Sequence, residues 1–264
     1  MSRKPLHKAG IHAVILAAGK GKRMKSDIPK VLHEIGETPL VIHVLTAAIE
    51  SGVSRITVVV GHGKEAVIET VQKWAKGIED EVEIDFAEQD QQKGTGHAVL
   101  CAEPSIDSAV KFVMVLLGDV PLLQSETLVA AYHKLLDADA HSVVITTELE
   151  DATGYGRIVK ENEDFVAAIV EEKDANDTQR AIREINTGIF LFTAKDLFEI
   201  IREIGSENAQ GEYYLTDMVK LLNEKNLKVT ALSILEPMQF MGVNSPEDLA
   251  HLAKLHVPVK RVAK

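Results

Sequence analysis

The chain has 264 residues, and its 29 Lys+Arg against 40 Asp+Glu give a formal net charge of −11 at pH 7. Hydrophobic residues make up 45% and charged residues 26%, which is typical of a globular protein and excludes a disordered or fibrous one. The acidic balance argues against nucleic-acid or membrane binding, which usually needs a basic face. A single cysteine, Cys101, excludes an internal disulfide framework, and we expect a cytoplasmic protein.

Up to about residue 150, short apolar runs alternate with amphipathic segments. The apolar runs predict strands at Ile11–Ala17, Arg55–Val60, Val82–Phe86, Phe112–Leu117 and Ser142–Thr147. The amphipathic segments predict helices at Leu40–Ile49, Lys64–Lys76, Gly96–Ala102 and Ser125–Leu136, the last with Ser125 as its cap. Continuous apolar strands that alternate with helices indicate a parallel sheet covered on both faces. The expected fold class is therefore α/β, with a Rossmann-like, doubly wound sheet.

After about residue 150 the pattern changes to shorter, alternating strands. In chain order it predicts a hairpin of Tyr155–Lys160 and Phe165–Val170, a strand Ile185–Phe192, helices Ala194–Ile204 and Leu215–Glu224, a strand Lys228–Leu235, a helix Glu247–Leu255 and a loose tail Pro258–Lys264. No repeats and no clear linker appear, so we expect one domain over residues 1–264. We expect its second half, about 151–257, to be a substrate-facing extension of the sheet of the first half, about 11–150, and to include a small β extension.

The most informative segment is the loop after the first predicted strand. The run Leu16-Ala-Ala-Gly-Lys-Gly-Lys-Arg-Met24 is followed by Pro29-Lys-Val-Leu32. Small residues let a ligand approach the backbone, and the two glycines permit a turn whose N–H groups can face a phosphate. Five basic residues lie within eleven positions: Lys20, Lys22, Arg23, Lys25 and Lys30. The segment predicts a polyphosphate site; the alternative is a surface turn with solvated lysines.

Two better-known phosphate motifs do not fit this loop. The dinucleotide pattern Gly-x-Gly-x-x-Gly would need glycine at position 24, which is Met24. The phosphate-loop pattern Gly-x-x-x-x-Gly-Lys-Ser/Thr has no match in the sequence. Leu-Ala-Ala-Gly-x-Gly-x-Arg-Met followed by Pro-Lys-Val-Leu instead resembles the signature of sugar-phosphate nucleotidyltransferases. More narrowly, it resembles the uridylyltransferase domain of the bacterial N-acetylglucosamine-1-phosphate uridylyltransferases. This resemblance implies the nucleotide-diphospho-sugar transferase fold, which has a doubly wound mixed sheet. The resemblance implies that the triphosphate is bound by Leu16, Ala17, Ala18, Gly19, Gly21, Arg23 and Lys30.

A second matching segment follows the third predicted strand, between Gln89 and Ala98. It resembles the uracil-recognition segment of the family, and the resemblance implies that the base faces Gln89, Gln92, Gly94 and Thr95. Lys93 departs from the pattern, because an aliphatic residue is common there. Without the resemblance, this segment would be a polar loop before the next helix.

Two further positions predict a metal site. Asp119 follows an apolar strand in Gly-Asp-Val-Pro, and a carboxylate at the carboxyl end of such a strand is well placed for Mg²⁺. The resemblance implies that Asn244 is the second ligand and that Arg23, Lys30 and Asp119 act in catalysis. The alternatives are a turn-forming aspartate before Pro121 and an asparagine that caps the last helix. Leu117 stands where the relatives usually carry tyrosine.

The remaining matches concern the second half of the chain. The resemblance implies a sugar site made of Gly156, Glu171, Asn186, Tyr214 and Thr216. Each could instead be part of a turn or a helix cap, such as Thr216 at a helix N-terminus. We expect Cys101 to be a small core residue. Three histidines are expected to be structural or to contact the residues that bind the ligand: His33, His43 and His97.

Together these matches imply Mg²⁺-dependent transfer of a uridylyl group from UTP to N-acetylglucosamine 1-phosphate. The expected partners are these small molecules, with no nucleic acid, membrane or obligate protein partner. One alternative is another nucleotide and acceptor on the same fold: GTP or CTP with a different sugar phosphate or a molybdopterin. The other is a non-catalytic nucleotide-sugar sensor. Many relatives continue into a hexapeptide-repeat acetyltransferase domain, and we expect none here because the sequence contains no such repeats.

Overall fold

A computed structural model describes residues 6, 7 and 9–255. The strands of this range are β1 (Ile11–Leu16), β2 (Glu34–Ile35), β3 (Thr38–Pro39), β4 (Arg55–Val60), β5 (Glu83–Glu88), β6 (Phe112–Leu117), β7 (Ser142–Glu148), β8 (Arg157–Lys160), β9 (Val166–Val170), β10 (Glu184–Thr193) and β11 (Val229–Ser233). The α-helices are α1 (Leu40–Glu50), α2 (Lys64–Ala75), α3 (Thr95–Cys101), α4 (Ser125–Asp137), α5 (Asp177–Arg180), α6 (Ala194–Ile200), α7 (Asp217–Glu224) and α8 (Pro246–Ala253).

The predicted strands and helices before residue 256 are present, with ends that differ by a few residues. The predicted tail Pro258–Lys264 lies outside the described residues. The short hairpin of β2 and β3 and the single turn of α5 were not predicted, since elements this short show no clear periodicity. None of the helices in the described range is long and apolar enough to cross a membrane.

The main sheet has the strand order β11-β7-β10-β6-β1-β4-β5. All of these strands run in one direction except β10, which is antiparallel to both of its neighbours. The chain winds outward from β1 to β4 and β5, and then crosses back to place β6 on the other side of β1. The expected mixed, doubly wound sheet is confirmed. Its topological switch point, where such folds bind ligands, lies between β1 and β6.

Helices cover both faces of the sheet because successive strand residues point to opposite sides. Ile15 faces the core that contains α1, α2 and α4, whereas Val14 faces the core that contains α3, α6 and α7. The hairpin of β8 and β9 extends the sheet through the pairing of Arg157 with Ile185 on β10. This hairpin is the β extension that the sequence predicts.

Three capping expectations are decided by the hydrogen bonds. Ser125 does not cap α4: the cap residue is Gln124, and the Ser125 hydroxyl donates to the Glu126 carboxylate at 3.1 Å. The side chain of Thr216 makes no cap bond to α7. Asn244 does not cap α8 either, because Ser245 and Asp248 form a reciprocal capping box there.

Candidate active site

The candidate site lies at the carboxyl ends of β1, β4, β5 and β6. The loops after β1 and β6 meet directly, since the Gly118 N–H donates to the Leu16 carbonyl at 3.0 Å. A carboxyl-end crevice at the switch point of a doubly wound sheet is where this class of fold binds its ligands. The topology therefore brings the glycine-rich loop and Asp119 to one place.

The glycine-rich loop is fixed at both ends and exposed in its middle. Gly21 has a left-handed φ of +56°, and a Cβ at this position would lie 2.7 Å from the Lys30 Cβ, so a side chain is excluded. Met24 is buried in a small cluster with Val243 and Leu252, which connects the loop to α8. Arg23 is exposed. The predicted triphosphate loop is thus held in a defined turn with its basic side chains toward solvent.

Lys30, Asp119 and Asn244 form the central cluster of the site. The Lys30 ammonium contacts the Asp119 carboxylate and donates to Asn244 Oδ1 at 3.2 Å. The Val243 N–H donates to the Asp119 carbonyl at 3.0 Å and holds the two segments together. No group of three or more His, Cys, Asp or Glu side chains suited to a metal occurs in the described range. The two predicted metal ligands, Asp119 and Asn244, therefore each direct an oxygen atom at the Lys30 ammonium.

The segment after β5 is held against the glycine-rich loop. Gln92 donates from its amide to the Ala18 carbonyl at 3.0 Å. Gln89 is only 4% exposed and donates to the Gly94 carbonyl at 3.0 Å. Gly94 has a φ of +110°, and a Cβ there would lie 2.6 Å from the Tyr213 carbonyl oxygen. This close approach requires glycine, and it connects the predicted base segment to the second half of the chain.

Three hydrogen bonds complete that connection. The Gly96 N–H donates to the Tyr213 carbonyl, and the Tyr213 N–H donates to the Lys93 carbonyl, each at 2.8 Å. The Thr95 hydroxyl oxygen accepts from the Leu215 N–H at 3.0 Å. The predicted base segment and the predicted sugar segment at Tyr214 and Thr216 are therefore parts of one hydrogen-bonded structure.

The predicted sugar residues lie around a buried carboxyl group. The Thr216 hydroxyl donates to Glu171 Oε1 at 3.0 Å, and a Cβ on Gly156 would lie 3.4 Å from the same oxygen. Burial raises the pKa of the Glu171 carboxyl, while the Thr216 hydrogen bond acts in the opposite direction. The Asn186 N–H donates to the Gly156 carbonyl at 2.9 Å, and the Tyr214 hydroxyl accepts from Gln210 at 2.8 Å.

Leu117, which departs from the family pattern, ends β6 beside a bend in β10. The pairing of β10 with β7 shifts its register between Asn186 and Phe190. Gly188 lies in this bend with a φ of +79°, and a Cβ there would lie 2.7 Å from Leu117 Cδ1. The Leu117 side chain therefore packs on the strand that carries Asn186.

One ion pair beside the predicted sugar residues was not predicted from the sequence. Arg157 has a side chain only 3% exposed, and it forms a 2.7 Å ion pair with Glu172 and a hydrogen bond to the Tyr155 carbonyl. The hydrogen bond fixes the Tyr155 carbonyl, which precedes Gly156. The ion pair fixes Glu172, which follows Glu171. The available signal was a charged residue directly before the apolar residues Ile158 and Val159 of β8.

The expectations for the histidines and Cys101 can be compared with their contacts. His97 Nδ1 lies 3.1 Å from the Gln89 amide nitrogen, so His97 supports a predicted site residue. His43 lies in α1 with its Nε2 at 3.2 Å from the Ile35 carbonyl. The Nε2 of His33 is buried and has no hydrogen-bond partner within the described residues. Cys101 is half-buried, with its sulfur 3.9 Å from His97 Nε2, and burial raises the pKa of its thiol.

A family model described as "nucleotidyl transferase" matches residues 12–235 of the chain. The chain belongs to the nucleotidyl transferase family. The expected enzyme class is thereby confirmed.

Relatives of this nucleotidyl transferase agree with the match. The bifunctional protein GlmU of Geobacter metallireducens is 43% identical over 242 residues, which cover 92% of this chain and 49% of the relative. The bifunctional protein GlmU of Heliobacterium modesticaldum is 44% identical over 238 residues, covering 90% and 50%. The chain therefore spans about half the length of the curated relatives it matches.

Solved structures support the fold. UDP-glucose pyrophosphorylase in complex with UDP-glucose superimposes with a TM-score of 0.72 at 22% sequence identity, covering 93% of this chain and 97% of that chain. The apo form of UDP-glucose pyrophosphorylase gives a TM-score of 0.74 at 21% identity. The nucleotide-diphospho-sugar transferase fold expected from the sequence is confirmed.

Proposed function

We propose that this chain transfers a uridylyl group from UTP to N-acetylglucosamine 1-phosphate, giving UDP-N-acetylglucosamine and pyrophosphate. The observation that carries the proposal is the convergence of Lys30, Asp119 and Asn244 beside the glycine-rich loop. Family membership and the GlmU relatives support the same reaction. Those relatives are named bifunctional and are about twice as long, so the proposal concerns one of their activities.

The nucleotide would lie across the loops that follow β1 and β5. Its triphosphate would contact the loop through Leu16, Ala17, Ala18, Gly19, Gly21, Arg23 and Lys30. Its base would face Gln89, Gln92, Gly94 and Thr95. The sugar phosphate would bind on the other side of the switch point, at Gly156, Glu171, Asn186, Tyr214 and Thr216. We accordingly propose a division of the domain into a nucleotide-binding half, about 11–150, and a sugar-binding half after it.

Mg²⁺ fits the oxygen donors at the centre of the site. Asp119 and Asn244 would hold it, since a carboxylate and an amide oxygen are ligands that Mg²⁺ accepts alongside substrate phosphates. The Lys30 ammonium contacts an oxygen of each side chain, so these two oxygens already lie around one positive charge. When bound, the ion would supply charge neutralisation for the phosphates.

The chain's own residues contribute positioning and electrostatic stabilisation. An oxygen of the sugar 1-phosphate forms a bond to the α-phosphorus of UTP, and the bond from that phosphorus to the bridging oxygen of pyrophosphate breaks. The nucleophile is already an anion, so the reaction needs no side-chain nucleophile and no general base. Arg23 and Lys30 stabilise the charge that grows on the leaving oxygens, and the residues around Glu171 align the attacking sugar phosphate.

A substrate panel tests the proposal. Pyrophosphate release is measured with each of UTP, CTP, GTP and ATP in combination with N-acetylglucosamine 1-phosphate, glucose 1-phosphate or mannose 1-phosphate. We expect the largest kcat/KM for UTP with N-acetylglucosamine 1-phosphate, and loss of activity with excess EDTA that added Mg²⁺ restores. Faster turnover of another pair would change the proposed substrates but would leave the proposed nucleotidyl transfer in place. Nucleotide-sugar binding without turnover of any pair would show a sensor instead.

A further inference from the structure

The orientation of the Gln89 amide is determined by two acceptors. The amide nitrogen Nε2 lies 3.0 Å from the Gly94 carbonyl oxygen and 3.1 Å from His97 Nδ1. A carbonyl oxygen can only accept a hydrogen bond, so the amide atom beside it must be the NH₂ group. The second N–H of this NH₂ group then points to the histidine ring.

The same contact fixes the proton on the His97 ring. Because Nδ1 accepts from Gln89, the ring proton of the neutral imidazole must be on Nε2. His97 lies on α3 and the Cys101 sulfur is 3.9 Å from its Nε2, one helical turn further along. The histidine thus presents an acceptor to Gln89 from a regular, packed helix.

The remaining polar atom of the amide is the oxygen Oε1. Both contacts of the amide described above use its nitrogen, and the Gln89 residue as a whole is only 4% exposed. Gln89 follows β5 directly at the carboxyl edge of the sheet, on the side where the nucleotide base is proposed to bind. The amide therefore presents a pure acceptor to that base.

We infer that His97 is a positioning residue that fixes the Gln89 amide and thereby sets the choice between uracil and cytosine; this rests on the proposed function. The two bases differ where uracil carries O4, an acceptor, and cytosine carries an amino group, a donor; their ring position 3 is exchanged in the same way. An amide held with its oxygen toward ring position 3 accepts a hydrogen bond from the N–H of uracil but meets only the unprotonated ring nitrogen of cytosine. An amide with one acceptor removed rotates more easily and can match either.

The test compares two replacements of His97. His97→Leu fills the space without an acceptor, and it should lower the ratio of kcat/KM for UTP over CTP about three- to tenfold, the effect of one hydrogen bond. His97→Asn places an amide oxygen near the former Nδ1 and should restore most of the ratio. Equal ratios in the wild type and His97→Leu, or equal losses in both variants, would overturn the inference.

Two controls separate positioning from packing. Cys101→Ala removes the sulfur that lies 3.9 Å from the His97 ring and should leave the UTP to CTP ratio unchanged. In a Gln89→Leu background, His97→Leu should have no further effect on the ratio, because its partner is absent. An additional loss in that background would show that His97 does not act through Gln89.

A spectroscopic measurement tests the contact without any turnover. Long-range ¹⁵N–¹H spectra of the histidine rings should show Nδ1 of His97 unprotonated and Nε2 protonated, and a proton on Nδ1 would overturn the inference. If the wild type shows this tautomer but uses no UTP, the proposed function and the inferred role in base choice both fail. If the wild type prefers UTP and His97→Leu keeps the preference, only the role of His97 fails.

Discussion

Backbone groups dominate the first half of the site, whereas buried ionisable side chains dominate the second. After β1, Gly21 takes a left-handed turn that brings the loop against Lys30, and the basic side chains remain exposed. After β8 and β9, the Arg157 guanidinium, which pairs with the half-buried Glu172, and the Glu171 carboxyl are largely removed from solvent. The phosphate side thus depends on the backbone conformation at Gly21, whereas the sugar side depends on two largely buried ionisable groups, Arg157 and Glu171.

The largest expected effect comes from the point where the two halves meet. Asp119→Ala removes the carboxylate that contacts Lys30, and turnover should fall at least about 1000-fold, roughly 4 kcal/mol in the barrier. Pyrophosphate release measures the loss, and circular dichroism checks the fold. Asp107→Ala, an exposed carboxylate before β6 at the opposite edge of the sheet, is the matched control. Activity of Asp119→Ala within about tenfold of the wild type would remove Asp119 from the metal site.

The second half should be the more sensitive to loss of a charge. Arg157→Met leaves Glu172 without its buried partner, and the free energy of unfolding should fall by about 3–5 kcal/mol in urea titrations. Arg180→Met removes an exposed arginine that lies 3.8 Å from the same carboxylate, and it should cost under about 1 kcal/mol. Similar losses in the two variants would contradict the claim that burial makes the difference.

Acid should destabilise the first half through His12. This histidine is 2% exposed on β1, bonded to the Thr57 hydroxyl at 2.8 Å, and burial lowers its pKa to about 4. The unfolded chain takes up the proton near pH 6.5, so the stabilisation is complete above that pH and is lost as pH falls toward 4. About 3 kcal/mol of unfolding free energy should disappear over this range. In urea titrations from pH 7 to 4, the unfolding free energy should depend less steeply on pH in His12→Leu than in the wild type. An equal pH dependence would exclude His12 as the cause.

Within the glycine-rich loop, the cost in stability of replacing a glycine should depend on the backbone conformation at that position. Gly21→Ala forces a Cβ into a left-handed turn and against Lys30, and it should lower the free energy of unfolding by about 1–2 kcal/mol. Gly19→Ala is the matched control for stability, because no atom lies within 4 Å of its added Cβ. Thermal melts of both variants measure the difference, and equal melting temperatures would contradict it.

The smallest expected effect is a gain in stability. Burial raises the pKa of Glu171, so its stabilising contribution is present below the usual carboxyl pKa and is lost as pH rises through the folded value. Glu171→Gln keeps the hydrogen bond from Thr216 without the buried charge. It should raise the free energy of unfolding at pH 7 by under about 1 kcal/mol, while KM for the sugar phosphate increases. A less stable variant with an unchanged KM would remove Glu171 from the proposed sugar site.

The sequence by itself determined the alternation of strands and helices, the glycine-rich loop and the family. These features are local: side-chain periodicity sets each element, and a contiguous motif carries the loop. It did not reveal the bend at Gly188, the caps of α4 and α8, or the buried role of Arg157, because each depends on neighbours distant in the chain.

Only the tertiary structure decided which polar groups meet. Lys30 lies 89 positions from Asp119 and 214 from Asn244, and the winding of strands around β1 brings the three together. The Thr216 hydroxyl could have capped α7, but it donates to Glu171, 45 positions away. A buried polar group is stable only beside a partner, and in this chain the packing of distant loops at the carboxyl edge of the sheet supplies that partner.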